Sequence, residues 1–189
     1  AIENFDPSHW FDILLDGPMR VQQMDNLKYM VANIGKVGIP MIGYYFSIAG
    51  VWGWSSKVFG RGNPMTVGFD TREVDVNVPI KNGMVWNMIY DTNAPIGNLP
   101  TISRAEMWER LTWFLDEIIP VAEEHGVRML AHPDDPPMPE LRKSARLFYS
   151  IEEYEKLLTI NKSPNNGFEF CMGTLQEMQG SDVLKSLDK

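Results

Sequence analysis

Residues 103–132 read SRAEMWERLTWFLDEIIPVAEEHGVRMLAH. Ser103 and Glu106 have the spacing of a capping box, in which a serine hydroxyl and a glutamate carboxylate each accept a free backbone N–H at a helix start. Behind them Leu111, Phe114, Leu115, Ile118 and Ile119 recur on one helical face. The helix is predicted to stop near His125-Gly126. Residues 127–132 then form a short apolar run that reads as a strand, with Arg128, Leu130 and His132 sharing one face. A helix feeding a short buried strand is the unit of α/β folds.

The same alternation extends in both directions. Upstream, Val21, Met24, Leu27, Val31 and Ile34 predict a helix over about 18–34, with Pro18 near its start and Gly35 as its stop. The run Met41-Ile42-Gly43-Tyr44-Tyr45-Phe46 follows as a strand, and residues 1–5 read as the end of another. Downstream, Ser150 and Glu153 form a second capping-box signal before a helix reaching about Leu158. Asn166-Gly167 reads as a turn, residues 168–171 as a strand, and the segment from Thr174 on as weakly specified helix. The order is β-α-β, a long insert, then α-β-α-β-α. It implies parallel strands joined by right-handed crossovers. A (β/α)8 barrel and a doubly wound sheet both fit. The Gly-x-Gly-x-x-Gly fingerprint of dinucleotide folds is absent, which favours the barrel. A full barrel takes roughly 250 residues and eight strands. About four parallel strands are predicted here, so residues 1–189 read as one incomplete TIM-barrel domain, and a chain opening inside a strand reads as a fragment.

Residues 47–101 are too long for an ordinary connection and read as a functional insert over the C-terminal face. Val74, Val76 and Val78 alternate with polar residues, as do Met84, Trp86 and Met88, and Asn82-Gly83 lies between the two runs. That pattern predicts a β-hairpin. Trp52, Trp54 and Phe59 precede it; they either pack the insert on the barrel or close over a ligand.

Bulk composition narrows the function. Hydrophobic residues make up 44% and charged residues 22%, which are ordinary globular values and argue against general disorder. The formal net charge of -8 comes without a Lys/Arg stripe, so nucleic acid is not an expected partner. No apolar run is long enough to suggest a membrane span, and residues 1–5 do not resemble a signal peptide. The single cysteine, Cys171, cannot form an internal disulfide and suits a reducing, cytoplasmic setting.

Chemistry collects at two predicted strand ends. His132 and Cys171 both fall just before loops, at the end of the barrel where active sites lie. A neutral imidazole and a thiolate on neighbouring strands can hold one divalent metal, although a lone histidine or cysteine is as readily a packed side chain. In Pro133-Asp134-Asp135-Pro136-Pro137 three prolines stiffen the backbone. Asp134 and Asp135 either orient His132 behind a metal or are solvated acids on a rigid turn.

Three segments together resemble the mannonate dehydratase family. They are Gly126-Val127-Arg128-Met129-Leu130-Ala131-His132-Pro133-Asp134-Asp135-Pro136-Pro137, Ser163-Pro164-Asn165-Asn166-Gly167-Phe168-Glu169-Phe170-Cys171-Met172-Gly173-Thr174, and Asn33-Ile34-Gly35-Lys36-Val37-Gly38-Ile39-Pro40 before the Tyr44-Tyr45-Phe46 strand. The resemblance runs over nearly the whole chain and is weakest between residues 58 and 100. It implies a xylose-isomerase-like barrel, dehydration of D-mannonate to 2-keto-3-deoxygluconate in hexuronate breakdown, and Mn2+ as the usual metal, with Mg2+, Co2+, Ni2+ or Fe2+ as alternatives. It implies a small sugar acid as partner, and allows a homo-oligomer of the complete protein. His132 and Cys171 match two of the family's metal ligands. Arg146 matches an arginine that binds the substrate carboxylate, and Tyr45 and Trp52 fall where substrate contacts are expected. The remaining ligands, a His and an Asp, and the acid–base pair are implied to lie on later strands outside this chain, so the 189 residues alone are expected to be inactive. Two departures bear on the substrate. Tyr45 stands where the family often has Asn, and Trp54 stands about where an arginine is expected near Trp52. A metal-dependent sugar isomerase or epimerase on the same scaffold, and a non-catalytic sugar-acid-binding paralogue, are the alternatives.

Overall fold

The computed structural model describes residues 1–58 and 61–188; Phe59, one of the insert aromatics singled out above, lies outside the described residues. A 3-10 helix (Pro7–His9) and α1 (Phe11–Leu15) lead into α2 (Arg20–Lys36) and β1 (Met41–Tyr44). The insert holds two antiparallel pairs, β2 (Ser55–Val58) with β3 (Met65–Gly68), and β4 (Met84–Val85) with β5 (Met88–Ile89). Then follow α3 (Arg104–Glu124), β6 (Arg128–Ala131), a small hairpin of β7 (Glu140–Leu141) and β8 (Ser144–Ala145), α4 (Ile151–Ile160), β9 (Asn166–Phe168), α5 (Met172–Glu177) and α6 (Val183–Leu187).

The main sheet is parallel, in the order β1-β6-β9. Ile2 adds a parallel bridge to Ile42, so the sheet's spatial order follows chain order. A doubly wound sheet reverses its strand order part-way; a barrel wall does not. The architecture is therefore a partial barrel. The four strands expected are three plus this bridge: Ile2 donates to Met41 O at 2.9 Å and its carbonyl accepts from Gly43 N at 2.8 Å.

Side chains alternate across the sheet. Ile42, Tyr44, Met129 and Ala131 are fully buried on the face that carries the helices. There Tyr44 and Phe46 meet Phe114 of α3, and Trp10 joins them with ring centroids 5.6 Å from Phe114 and 5.9 Å from Phe46. Truncating such a ring costs about 3–5 kcal/mol. On the opposite face Gly43, Leu130 and Gly167 stand side by side in register. A Cβ on Gly43 would lie 2.0 Å from Glu3 O and 2.7 Å from Glu169 Oε2, so only hydrogen fits.

Sequence and structure part at several places. Val21, placed above on the apolar face of α2, is 61% exposed; the buried face is Met24, Leu27, Val31 and Ile34. The Ser103 capping box forms as predicted. The Ser150 box does not, because Glu153, its other half, is paired with Arg104 instead. The insert's hairpin turns at Trp86-Asn87, not at Asn82-Gly83, and residues 74–78 form turns rather than a strand. Asn166-Gly167 belongs to β9 rather than to a turn, so the strand ends at Phe168, and Cys171 is the N-cap residue of α5.

Candidate active site

The C-terminal ends of β1 and β6 open into a cavity of about 310 Å³, lined by Glu3, Asn4, Tyr45, Val51, Trp86, His132 and Asp135. Each wall follows from the fold. Tyr45 and His132 lie two residues past Gly43 and Leu130, on the same face of the sheet. His132 N donates to Tyr44 O at 2.9 Å, extending the β1–β6 pairing by one rung. Val51 and Trp86 come from the insert.

His132 has a fixed ring. Its Nδ1 lies 2.7 Å from Pro133 O, and a carbonyl can only accept. Nδ1 therefore carries the proton, and in the neutral ring Nε2 keeps its lone pair, the arrangement usual for a metal-ligating histidine. The ring stands edge-on to Tyr45, centroids 5.7 Å apart, and Tyr45 packs on Trp86 at 5.3 Å.

Beneath the cavity lies a buried ionic knot. Arg146 is fully buried. Its Nε donates to Asp134 Oδ1 at 3.0 Å, its Nη1 to Gly50 O at 3.1 Å, and its Nη2 to Asp135 O at 2.9 Å and to the Tyr45 hydroxyl. Asp134, 1% exposed, also accepts from Leu147 N and Phe148 N. The Tyr45 hydroxyl accepts from Asp135 N at 3.1 Å and can donate its own proton to Asp135 O. Burial pushes the Tyr45 phenol well above its ordinary range, against the pull of Arg146, so it holds its proton at neutral pH. Burial would lower the Arg146 guanidinium, but Tyr45 and Asp134 outweigh it and raise it. Burial also pushes the Asp135 carboxyl up, with Arg146 and His132 pulling the other way. One Asp135 oxygen, Oδ1, is buried without a partner among the described residues.

This geometry changes several roles. Arg146 was expected to meet a substrate carboxylate. Four of its N–H contacts go to the protein and none of its surface reaches solvent, so here it holds the 133–137 turn and Tyr45 in place. Asp134 does not face His132; it is the counter-ion of Arg146 and ties down residues 147–148. Asp135 stands in the cavity wall beside His132. Trp52 is not in the lining: the Arg142 guanidinium sits 5.1 Å over its ring. Cys171, the half-exposed N-cap of α5, has its Sγ 3.4 Å from Thr174 Oγ1. It is not among the residues lining the cavity with His132. Among the described residues no group of three or more His, Cys, Asp and Glu side chains could hold a metal ion. His132 has the form of a ligand, but these residues do not make a metal centre by themselves.

The sequence reading missed Glu3, Asn4, Val51 and Trp86 as lining residues. The strand ending at residue 5 was a usable signal for the first two, because it places their side chains at the same barrel mouth.

The D-mannonate dehydratase (UxuA) family matches residues 1–188 of the chain. The chain belongs to the mannonate dehydratase family. It is 31% identical over 188 residues to a mannonate dehydratase of Streptococcus suis (strain 05ZYH33), covering 92% of this chain and 49% of that protein. It is 28% identical over 180 residues to mannonate dehydratase 2 of Halalkalibacterium halodurans, covering 91% and 52%. The crystal structure of mannonate dehydratase from Streptococcus suis serotype2 superposes with a TM-score of 0.73 at 29% identity, over 93% of this chain and 47% of that one. The chain thus spans about half the length of these mannonate dehydratases, and the half it spans contains the cavity at the ends of β1 and β6.

Proposed function

We propose that the protein carrying this chain is a carbon–oxygen lyase that dehydrates D-mannonate to 2-keto-3-deoxygluconate, with a divalent metal, Mn2+ first among candidates. The observation that carries this reading is the match of the family over residues 1–188, which includes the cavity residues His132 and Asp135. Its electrostatics support a metal. The lining holds Glu3 and Asp135 and, among the described residues, no Lys or Arg, while the nearby Arg146 is committed. A divalent cation would offset these acidic groups against an anionic sugar acid.

The reaction is a β-elimination. The C2 proton goes to a base, the C3 hydroxyl leaves as water with a proton from an acid, and the resulting enol becomes the ketone. A bound divalent cation supplies Lewis-acid stabilisation of the charge that develops beside the carboxylate. His132 Nε2 is the side-chain atom of the cavity that would ligate it, and Cys171, the N-cap residue of α5 beyond β9, would be a second ligand. Tyr45, held protonated with its one O–H directed to Asp135 O, does not serve as the base. The acid and base come from outside these 189 residues. The setting is cytoplasmic, in keeping with the one unpaired cysteine.

The test is to assay the full-length gene product for 2-keto-3-deoxy acid formation from D-mannonate with and without Mn2+, alongside its metal content. His132→Ala and Cys171→Ala are expected to lower bound metal and turnover together, and the 189 residues alone to show no turnover. Isomerisation of a neutral sugar, or tight aldonate binding without turnover, would replace this reading by the isomerase or the binding paralogue.

A further inference from the structure

We propose that Arg142 is a positioning residue of the candidate active site: its guanidinium holds the Trp86-Asn87 turn and so sets where Trp86 and Val51 stand in the cavity wall.

The starting point is a costly conformation. Trp86 and Asn87 have φ of 49° and 67°, both in the left-handed region. A two-residue hairpin loop needs this, but it is normally met by Asn and Gly; a bulky residue there is strained and persists only where the surroundings enforce it. Four contacts enforce it. Trp86 N donates to Ile48 O at 3.1 Å and its indole N–H to Ser47 O. Asn87 Nδ2 donates to Val51 O at 3.0 Å. Asn87 Oδ1 accepts from Arg142 Nη1 at 2.6 Å. The Asn87 side chain therefore links Arg142 to both insert residues of the cavity wall.

Arg142 is suited to anchor this link. It sits in the turn between β7 and β8, with φ of 55° at Arg142 and 61° at Lys143. That hairpin is tied to the barrel just before α3, where Ile102 N donates to Lys143 O at 2.9 Å and Ala145 N to Ile102 O at 3.0 Å. From there Arg142 grips the insert. Its backbone N donates to Val76 O at 2.7 Å. Its Nε and Nη2 reach Val78 O and Pro79 O, each at 3.3 Å, and its guanidinium covers Trp52. The residue is 6% exposed, and these partners are uncharged oxygens and an aromatic face. Burying a cation among neutral groups is expensive, and an apolar side chain would fill the same space at lower cost. What only arginine offers there is a rigid fork that meets several acceptors in fixed directions. From Asn87 the path continues through Trp86 to Tyr45 and then to His132, ring against ring.

The inference deepens the proposed function, and its test separates the two. Arg142→Lys keeps charge and stem but loses the fork. Asn87→Gly removes the link at an exposed position and adopts the φ of 67° without strain. Trp86 emission is isolated by subtracting a Trp86→Phe partner in each background. Acrylamide quenching of Trp86 is expected to rise in both single variants, and the double variant to go no further than either, as for two residues acting through one contact. In the full-length product KM for D-mannonate is expected to rise about three- to tenfold with kcat within about twofold, the signature of lost binding rather than lost chemistry. Parent-like quenching in Asn87→Gly, or effects of the two substitutions that simply add, would overturn the proposal. Raised quenching in a protein that neither binds nor dehydrates mannonate would leave Arg142 as the positioning residue and remove the assigned substrate instead.

Discussion

Replacing Arg146 by Met tests whether this arginine is a structural anchor or a substrate hook. Methionine matches much of its length without its charge. In the parent, Arg146 is fully buried and neutralises Asp134, which is 1% exposed. Removing one partner of a buried pair leaves the other charge uncompensated, at about 3–5 kcal/mol. Asp134 keeps two backbone N–H donors, from Leu147 and Phe148, which holds the expectation to the lower half of that range. Gly50 O also loses its donor, and Asp135 O loses one of two, the Tyr45 hydroxyl remaining. For a chain of this size each kcal/mol moves the midpoint by roughly 2–4 °C, so a fall of about 6–15 °C is expected. The assay is thermal and urea unfolding followed by near-UV circular dichroism, where Tyr45 and Trp86 report directly on the cavity. A substrate hook predicts the reverse: an unpaired binding arginine is a liability to the fold, and its removal leaves stability unchanged or improved while affinity for aldonates collapses. An Arg146→Met protein with the parent's unfolding midpoint would refute the anchor.

Two further outcomes follow from other parts of the chain. Burial raises the Asp12 carboxyl, with Asp91 adding to it and Met19 N opposing it. A carboxyl raised in the folded state contributes stability below its ordinary value of 3.8 and loses it as pH climbs through the folded value, so Asp12→Asn should gain relative to the parent across that window and match it below; equal urea midpoints at pH 3.5 and 7 would contradict this. Ser103→Ala should cost about 1 kcal/mol by losing the Ser103 hydroxyl that accepts from Glu106 N, the Glu106 arm onto Ser103 N remaining, whereas Ser150→Ala should be close to neutral because its hydroxyl caps nothing; calorimetry of the two variants side by side decides it.

Where local chemistry set the outcome, the sequence was legible. α3 begins at its capping box, its apolar stripe is its buried face, and the next strand delivers His132 to the barrel mouth, all within a few dozen residues. What the sequence hid depends on partners far along the chain. Val74, Val76 and Val78 look like strand material, but the carbonyls of Val76 and Val78, with that of Pro79, serve Arg142 rather than a neighbouring strand. Asn82-Gly83 has hairpin chemistry, yet the bend falls at Trp86-Asn87, where Arg142 and the Ser47–Val51 segment hold it. Asn166 spends its amide on Leu157 O and Asn161 O, which makes a turn-like residue the first of β9. At the site, His132 and Tyr45 follow from strand alternation. The burial of Arg146 does not, since nothing in its local sequence announces the acceptors at Asp134, Gly50 and Tyr45.

The row Gly43, Leu130, Gly167 sets the relief of the sheet face that carries Tyr45 and His132. Two of its three positions contribute no side chain, and the leucine between them reaches to 3.3 Å from where a Gly167 Cβ would stand. One aliphatic side chain therefore fills the width that three would otherwise share, directly below the residues that line the mouth. The floor is a single leucine thick. Bulk added at Gly43 meets Glu3 and Glu169, and bulk added at Gly167 meets Leu130. Relief on this face of the sheet is thus set by where side chains are missing as much as by where they stand.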